Sequence, residues 1–96
     1  MELFQTEWCP HSHKVRQRLT ELGADFTARQ VAADPDDRDA LERATGSREI
    51  PVLVGDDGRR LSGEEEILPY LDGLEERADA EAHRAKSREE VGLFEP

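Results

Sequence analysis

Residues 2–31 carry two β-like runs on either side of one amphipathic helical repeat, and this arrangement limits the fold more than any other feature. Glu2–Gln5 reads as a short strand with Leu3 toward the core. Val15, Leu19 and Leu22 then recur at i, i+4 and i+7, an apolar stripe flanked by Lys14, Arg16, Gln17, Arg18 and Glu21. Gly23 supplies the stop, because glycine tolerates the left-handed conformation at a helix end. Asp25–Val31 reads as a second strand. Two strands joined through one helix lie parallel in a sheet, with a right-handed crossover.

The rest of the chain extends this unit. Asp34-Pro35-Asp36-Asp37 is a helix start, with Asp34 as N-cap and Pro35 at the first helical position. The helix it opens is expected to run to about Ala44 and to end at Gly46. Pro51–Val54 is the most β-like run, Asp56-Asp57-Gly58 a turn, and Arg59–Leu61 a short partner strand, so 51–61 reads as a hairpin. Ser62-Gly63-Glu64-Glu65 matches a capping box, and Ile67, Leu71 and Leu74 follow at helical spacing around Pro69, which is expected to kink that helix. The expected architecture is α/β, a four-stranded mixed sheet with helices on both faces. From Leu74 to about Glu90 the chain stays helix-competent but very polar, which reads as a solvated helix or a frayed tail, with a partner-binding segment as the alternative. Val91-Gly92-Leu93-Phe94 offers an apolar end able to dock back. The 96 residues are read as one domain, with a core over about 1–73 and a charged helical extension over about 74–96.

Charge and composition remove several functional classes. With 23 Asp and Glu against 13 Lys and Arg, the formal net charge is −10, and such a surface repels phosphate backbones. Nucleic acid is therefore not an expected partner. No apolar run approaches the roughly 20 residues needed to span a bilayer, and Met1-Glu2-Leu3-Phe4 lacks a basic and apolar signal region. A cytoplasmic protein is the expectation, without a membrane partner. A single cysteine excludes an internal disulfide and a multi-cysteine zinc site. No metal is expected: Cys9, His11 and His13 would not converge on one ion, because position i+2 of a helix points away from i and i+4.

That single cysteine is placed for chemistry. Cys9 follows a strand and precedes a helix whose first residue is Pro10, so it occupies the N-cap region, where unpaired N–H groups and the positive end of the helix dipole stabilise a thiolate. Cysteines so placed reach pKa values of roughly 3.5–7.5. His11 and His13 lie within one turn and add positive charge when protonated, whereas Glu7 works against it. Position alone also allows an inert buried thiol, since free cysteine is among the most buried residues. Trp8 reads in its own right as an apolar lid over the first turn.

Trp8-Cys9-Pro10-His11-Ser12 resembles the Cys-Pro-x-Cys/Ser active site of glutaredoxins. Ile50-Pro51-Val52-Leu53 is similar to the segment carrying that family's cis-proline, and Leu61-Ser62-Gly63-Glu64-Glu65-Glu66-Ile67 falls where the family has its glutathione loop. The same landmarks mark the N-terminal domain of glutathione S-transferases. The resemblance covers about residues 1–73 and implies a thioredoxin-like fold.

It also implies a function: reduction of mixed disulfides by a monomeric oxidoreductase using glutathione or a related small thiol. Cys9 would be the nucleophile and Ser12 would replace a second cysteine, making this a monothiol form that acts on glutathionylated or disulfide substrates. Trp8, Pro10, His11 and Ser12 would support the site. Ile50 and Pro51 would meet the cysteinyl part of glutathione, and the N–H groups of Glu64 and Glu65 its γ-glutamyl carboxylate. Two other roles fit the resemblance. One is a [2Fe–2S] carrier bridged by two glutathiones between two copies. The other is a non-catalytic thioredoxin-fold binding module. The chain departs from the family in three places. Gln5 stands near a position where many glutaredoxins carry lysine, His11 replaces an aromatic residue, and Glu64–Glu66 crowd an anion site. Arg48, Arg59 and Arg60 could compensate if they face the groove, although each reads more simply as a solvated surface residue.

Overall fold

The computed structural model describes residues 1–74 and 80–91. Four strands form one mixed sheet in the order β2-β1-β3-β4, with β1 Glu2–Gln5, β2 Thr27–Gln30, β3 Val52–Val54 and β4 Arg60–Ser62. The crossover between β1 and β2 is α1 (Pro10–Glu21), and these two strands pair in parallel with Leu3 opposite Ala28. β3 runs antiparallel to β1 with Leu3 opposite Leu53, and β4 antiparallel to β3 with Leu53 opposite Leu61. This is the mixed α/β sheet that the pattern predicts, and the thioredoxin-like arrangement that the resemblance implies.

Strand alternation sorts the side chains. Leu3 and Leu53 face α1 and α3 (Glu64–Asp72), forming a core with Val15, Leu19, Leu22, Ile67 and Leu71. The helical stripe read from the sequence is the buried side of α1. On the opposite sheet face, Phe4 lines a cavity of about 180 Å³ shared with Ala40 and Leu41 of α2 (Asp39–Thr45). Helices thus cover both faces. A further helix, α4 (Ala80–Lys86), packs against α1 with Ala80 buried and leads into a π-type turn over Ser87–Val91. The apolar end at residues 92–94 lies outside the described residues.

Three local expectations are corrected. The helix beginning at Asp34 is broken in two: Asp34 caps a single 3-10 turn, Pro35–Asp37, and α2 starts only at Asp39. The break falls at Arg38, whose backbone leaves helical geometry while its side chain is buried at 6% exposure. Its Nε donates to the Ala32 carbonyl at 2.8 Å, Nη1 to the Arg48 carbonyl at 3.1 Å and Nη2 to the Ala33 carbonyl at 3.1 Å. Second, the cap of α3 is Gly63 and not Ser62: at φ 81° and ψ 156° only glycine is comfortable. Ser62 instead pairs its hydroxyl with Ser47, and Glu66 rather than Glu65 reaches back to accept the Ser62 N–H at 2.8 Å. Third, β2 is shorter than 25–31, spanning Thr27–Gln30. α3 runs on through an exposed Pro69.

Candidate active site

Cys9 is the N-cap of α1, with extended backbone angles (φ −77°, ψ 121°) and Pro10 as the first helical residue. Its sulfur accepts the Ser12 N–H at 3.5 Å, as an N-cap side chain does for the third helical amide. The residue is 7% exposed, while Trp8 beside it is 64% exposed. The lid reading of Trp8 therefore fails, and an indole stands in solvent next to the thiol.

Opposing effects set the acidity of Cys9. Burial pushes the thiol up, but the nearby Ser12 hydroxyl and the N–H groups of Ser12 and His11, together with the Arg16 charge, outweigh it and hold the pKa below the ordinary thiol value. The Ser12 hydroxyl is fully buried without a partner of ordinary hydrogen-bond geometry, which leaves it available to the sulfur as charge develops there. Replacing Ser12 by Ala is expected to move the alkylation midpoint of Cys9 to higher pH. The midpoint should still stay below that of a free cysteine peptide, because the backbone donors remain. Iodoacetamide rates across the pH range measure this directly. The thiolate favours the folded chain above the ordinary thiol pKa, and that contribution fades as pH falls through the lowered one.

The other candidate residues gather at the same end of the sheet. The Ile50–Pro51 bond is cis. Continuing the register of Phe4 opposite Val52 sets Pro51 opposite Gln5, where β1 leads into the Cys9 segment. The Pro51 carbonyl accepts the Gly63 N–H at 2.8 Å, tying this segment to the start of α3. Glu64 then crosses to α1, its carboxylate 2.7 Å from His11 Nδ1 and 3.4 Å from Lys14 Nζ. These partners, His11 foremost, hold the Glu64 carboxyl below its usual range. Glu65 turns back over Gly63, so that a Cβ there would stand 2.7 Å from its Oε2. His11 and His13 do not join Cys9 as a ligand set; among the described residues no three metal-ligating side chains stand close enough to hold an ion.

Of the three arginines that could compensate, Arg48 and Arg59 have other partners and Arg60 is solvated, as its simpler reading has it. Arg48 pairs with Asp39 and Glu42 of α2, and Arg59 lies over the Tyr70 ring at 5.8 Å from its centroid. Arg60 sits exposed on β4, with no ion pair among the described residues. The cation beside Cys9 is Arg16, which its place off the apolar stripe had marked as a solvent-facing residue. The signal that could have found it is proximity: it lies two turns from Cys9 on the same helix.

A parallel β-α-β unit with an antiparallel hairpin, a cysteine capping the crossover helix and a cis-proline opposite the end of β1 define a thioredoxin-like domain. The glutaredoxin family pattern matches residues 1–59, and the chain belongs to that family. It is 34% identical over 65 residues to a glutaredoxin of Vernicia fordii, an alignment covering 64% of this chain and 61% of the relative. Among solved structures it superposes on a glutathione S-transferase domain-containing protein of Marinobacter aquaeolei with a TM-score of 0.66 and 27% identity, over 80% of this chain and 40% of that one. Rice GST1 in complex with glutathione gives a TM-score of 0.64 and 30% identity, over 96% of this chain and 45% of that one. The chain thus spans less than two thirds of the relative and less than half of both structures. No helix among the described residues is long and apolar enough to cross a membrane.

Proposed function

We propose that the chain is a monothiol thiol–disulfide oxidoreductase that exchanges glutathionyl groups, or those of a related small thiol, through Cys9. The observation that carries this reading is the sulfur at the N-terminus of α1, accepting the Ser12 N–H with its pKa held below the ordinary thiol value. Membership of the glutaredoxin family supports it, as does the likeness to a transferase solved with glutathione.

The chemistry is two exchanges. The Cys9 thiolate attacks the glutathione sulfur of a mixed disulfide, forming a Cys9–glutathione disulfide and expelling the other partner's thiolate, which takes a proton. A second small thiolate then attacks the glutathione sulfur of the adduct, releasing an oxidised small-molecule disulfide and regenerating the Cys9 thiolate. Ser12 cannot resolve the adduct, so the second thiol comes from outside. Trp8 offers an apolar contact for the departing partner, and Pro10 fixes the first helical φ. The His11 backbone N–H helps to lower the thiol pKa.

In this reading the Ile50 main chain beside Pro51 meets the cysteinyl part of glutathione, and the Glu64 and Glu65 N–H groups meet its γ-glutamyl carboxylate. Glu65 curled over Gly63 puts a negative charge at that place, which supports weak binding of glutathione and easier use of a less anionic thiol. We read the whole chain as one such domain, with its core over about 1–73. The test is reduction of a glutathionylated peptide by reduced glutathione and, separately, by a neutral thiol. Catalysed turnover with either supports the reading; rates equal to the uncatalysed exchange with both reject it.

A further inference from the structure

Arg16 belongs to the second turn of α1, yet its side chain is only 17% exposed and runs back toward the helix N-terminus. Its guanidinium reaches three consecutive residues. Nη1 donates to the Gln5 side-chain oxygen and to the Thr6 carbonyl at 3.2 Å, and Nη2 donates to the Glu7 carbonyl at 3.4 Å. These residues form the segment that joins β1 to Cys9. Gln5 and Thr6 are buried at 1% exposure, so the clasp closes over the interior. The Thr6 carbonyl also accepts the Cys9 N–H at 3.3 Å. One oxygen is therefore shared between the guanidinium and the amide of the cysteine itself.

We propose that Arg16 is a positioning residue for Cys9, a clasp from α1 that fixes the segment entering the helix and so holds the sulfur at the helix N-terminus. This rests on the reading of Cys9 as the exchanging thiol. The planar fork matters as much as the charge, because it spreads its donors over two nitrogens in a fixed plane, whereas an ammonium offers all of its donors from one point. The other charged or titratable groups around this turn are Glu7 in the segment, whose carboxylate lies 3.7 Å from Arg16, His11, His13 and Lys14 on α1, and Glu64 from α3. His11 and Lys14 are engaged by Glu64, so Arg16 is the cation committed to the segment itself.

The test compares the wild type with Arg16→Met and Arg16→Lys. It follows alkylation of Cys9 from about pH 5 to 10, disulfide exchange near neutral pH, and thermal melting. Arg16→Met is expected to raise the alkylation midpoint and to slow exchange by about threefold to tenfold, as the thiolate fraction falls. Arg16→Lys keeps the charge and loses the fork, so it should fall between. An unchanged midpoint in Arg16→Met overturns the proposal. If Arg16→Met does not fold, Arg16→Lys decides: a raised midpoint supports the clasp and an unchanged one overturns it. Alkylation does not require exchange, so the two readings separate. A shifted profile in a chain whose wild type exchanges no disulfide rejects the function and leaves the clasp standing.

Discussion

Replacing Cys9 by Ser is expected to remove glutathionyl exchange altogether, a loss of about a thousandfold or more that takes the rate to background. The reason lies in what the N-terminus of α1 can do. Its amides and dipole lower the pKa of a thiol and so favour the thiolate, but a serine hydroxyl starts far too high for the same field to ionise it. The chain holds a single cysteine, so no other thiol can substitute. The fold should not suffer, because serine is a good N-cap and its oxygen can accept the Ser12 N–H that the sulfur now takes. The paired measurement is turnover on a glutathionylated peptide and a thermal melt of the same protein. Lost turnover with an unchanged melt is the expected outcome. Retained turnover would mean that Cys9 is not the reacting group.

Arg38→Met is expected to destabilise the fold strongly, because it removes a buried cation that several carbonyls rely on. Arg38 is buried among carbonyls, and among the described residues no carboxylate pairs with it. It joins the Ala32–Ala33 segment after β2 to Arg48 before the cis-proline, so its loss frees both sides of the sheet end at once. Hydrogen bonds to a charged donor are worth about 1.5–3 kcal/mol each, and methionine leaves three carbonyls to be resatisfied. Relief of the buried cation returns part of this. A net cost of about 2–4 kcal/mol follows, and at roughly 4–8 °C per kcal/mol for a domain of this size the melting temperature should fall by about 10–30 °C. Urea or thermal unfolding checks it. The alkylation midpoint of Cys9 in the folded variant should move little, because Arg38 touches neither α1 nor the Cys9 segment.

Much of this architecture is legible in the sequence because the signals are local. The Val15, Leu19, Leu22 stripe becomes the buried side of α1, and Leu3 and Leu53 alternate into the same core. Cys9 before Pro10 is readable as an N-cap because capping depends on residues a few positions apart. What stayed hidden is where long charged side chains turn. Periodicity places Arg16 off the apolar stripe, and no local pattern singles out Arg38, yet both carry aliphatic stems that bury while their heads find carbonyls. Arg48 offered itself to the groove and is held by Asp39 and Glu42 on α2. The Ser62 motif has the letters of a capping box, but Gly63 at positive φ moves the helix start one residue on. None of these choices is set by spacing; each is decided by which acceptors the fold brings within reach.

The most direct measurement is the rate at which oxidised glutathione modifies the reduced protein near neutral pH, followed by acid quench and intact mass, beside a cysteine peptide of ordinary thiol pKa. The expected result is a single glutathionyl adduct on Cys9, formed faster than on the peptide and removed by reduced glutathione. An adduct that forms no faster than on the peptide, or that reduced glutathione does not remove, would contradict the assignment of Cys9 as an activated, exchanging thiol.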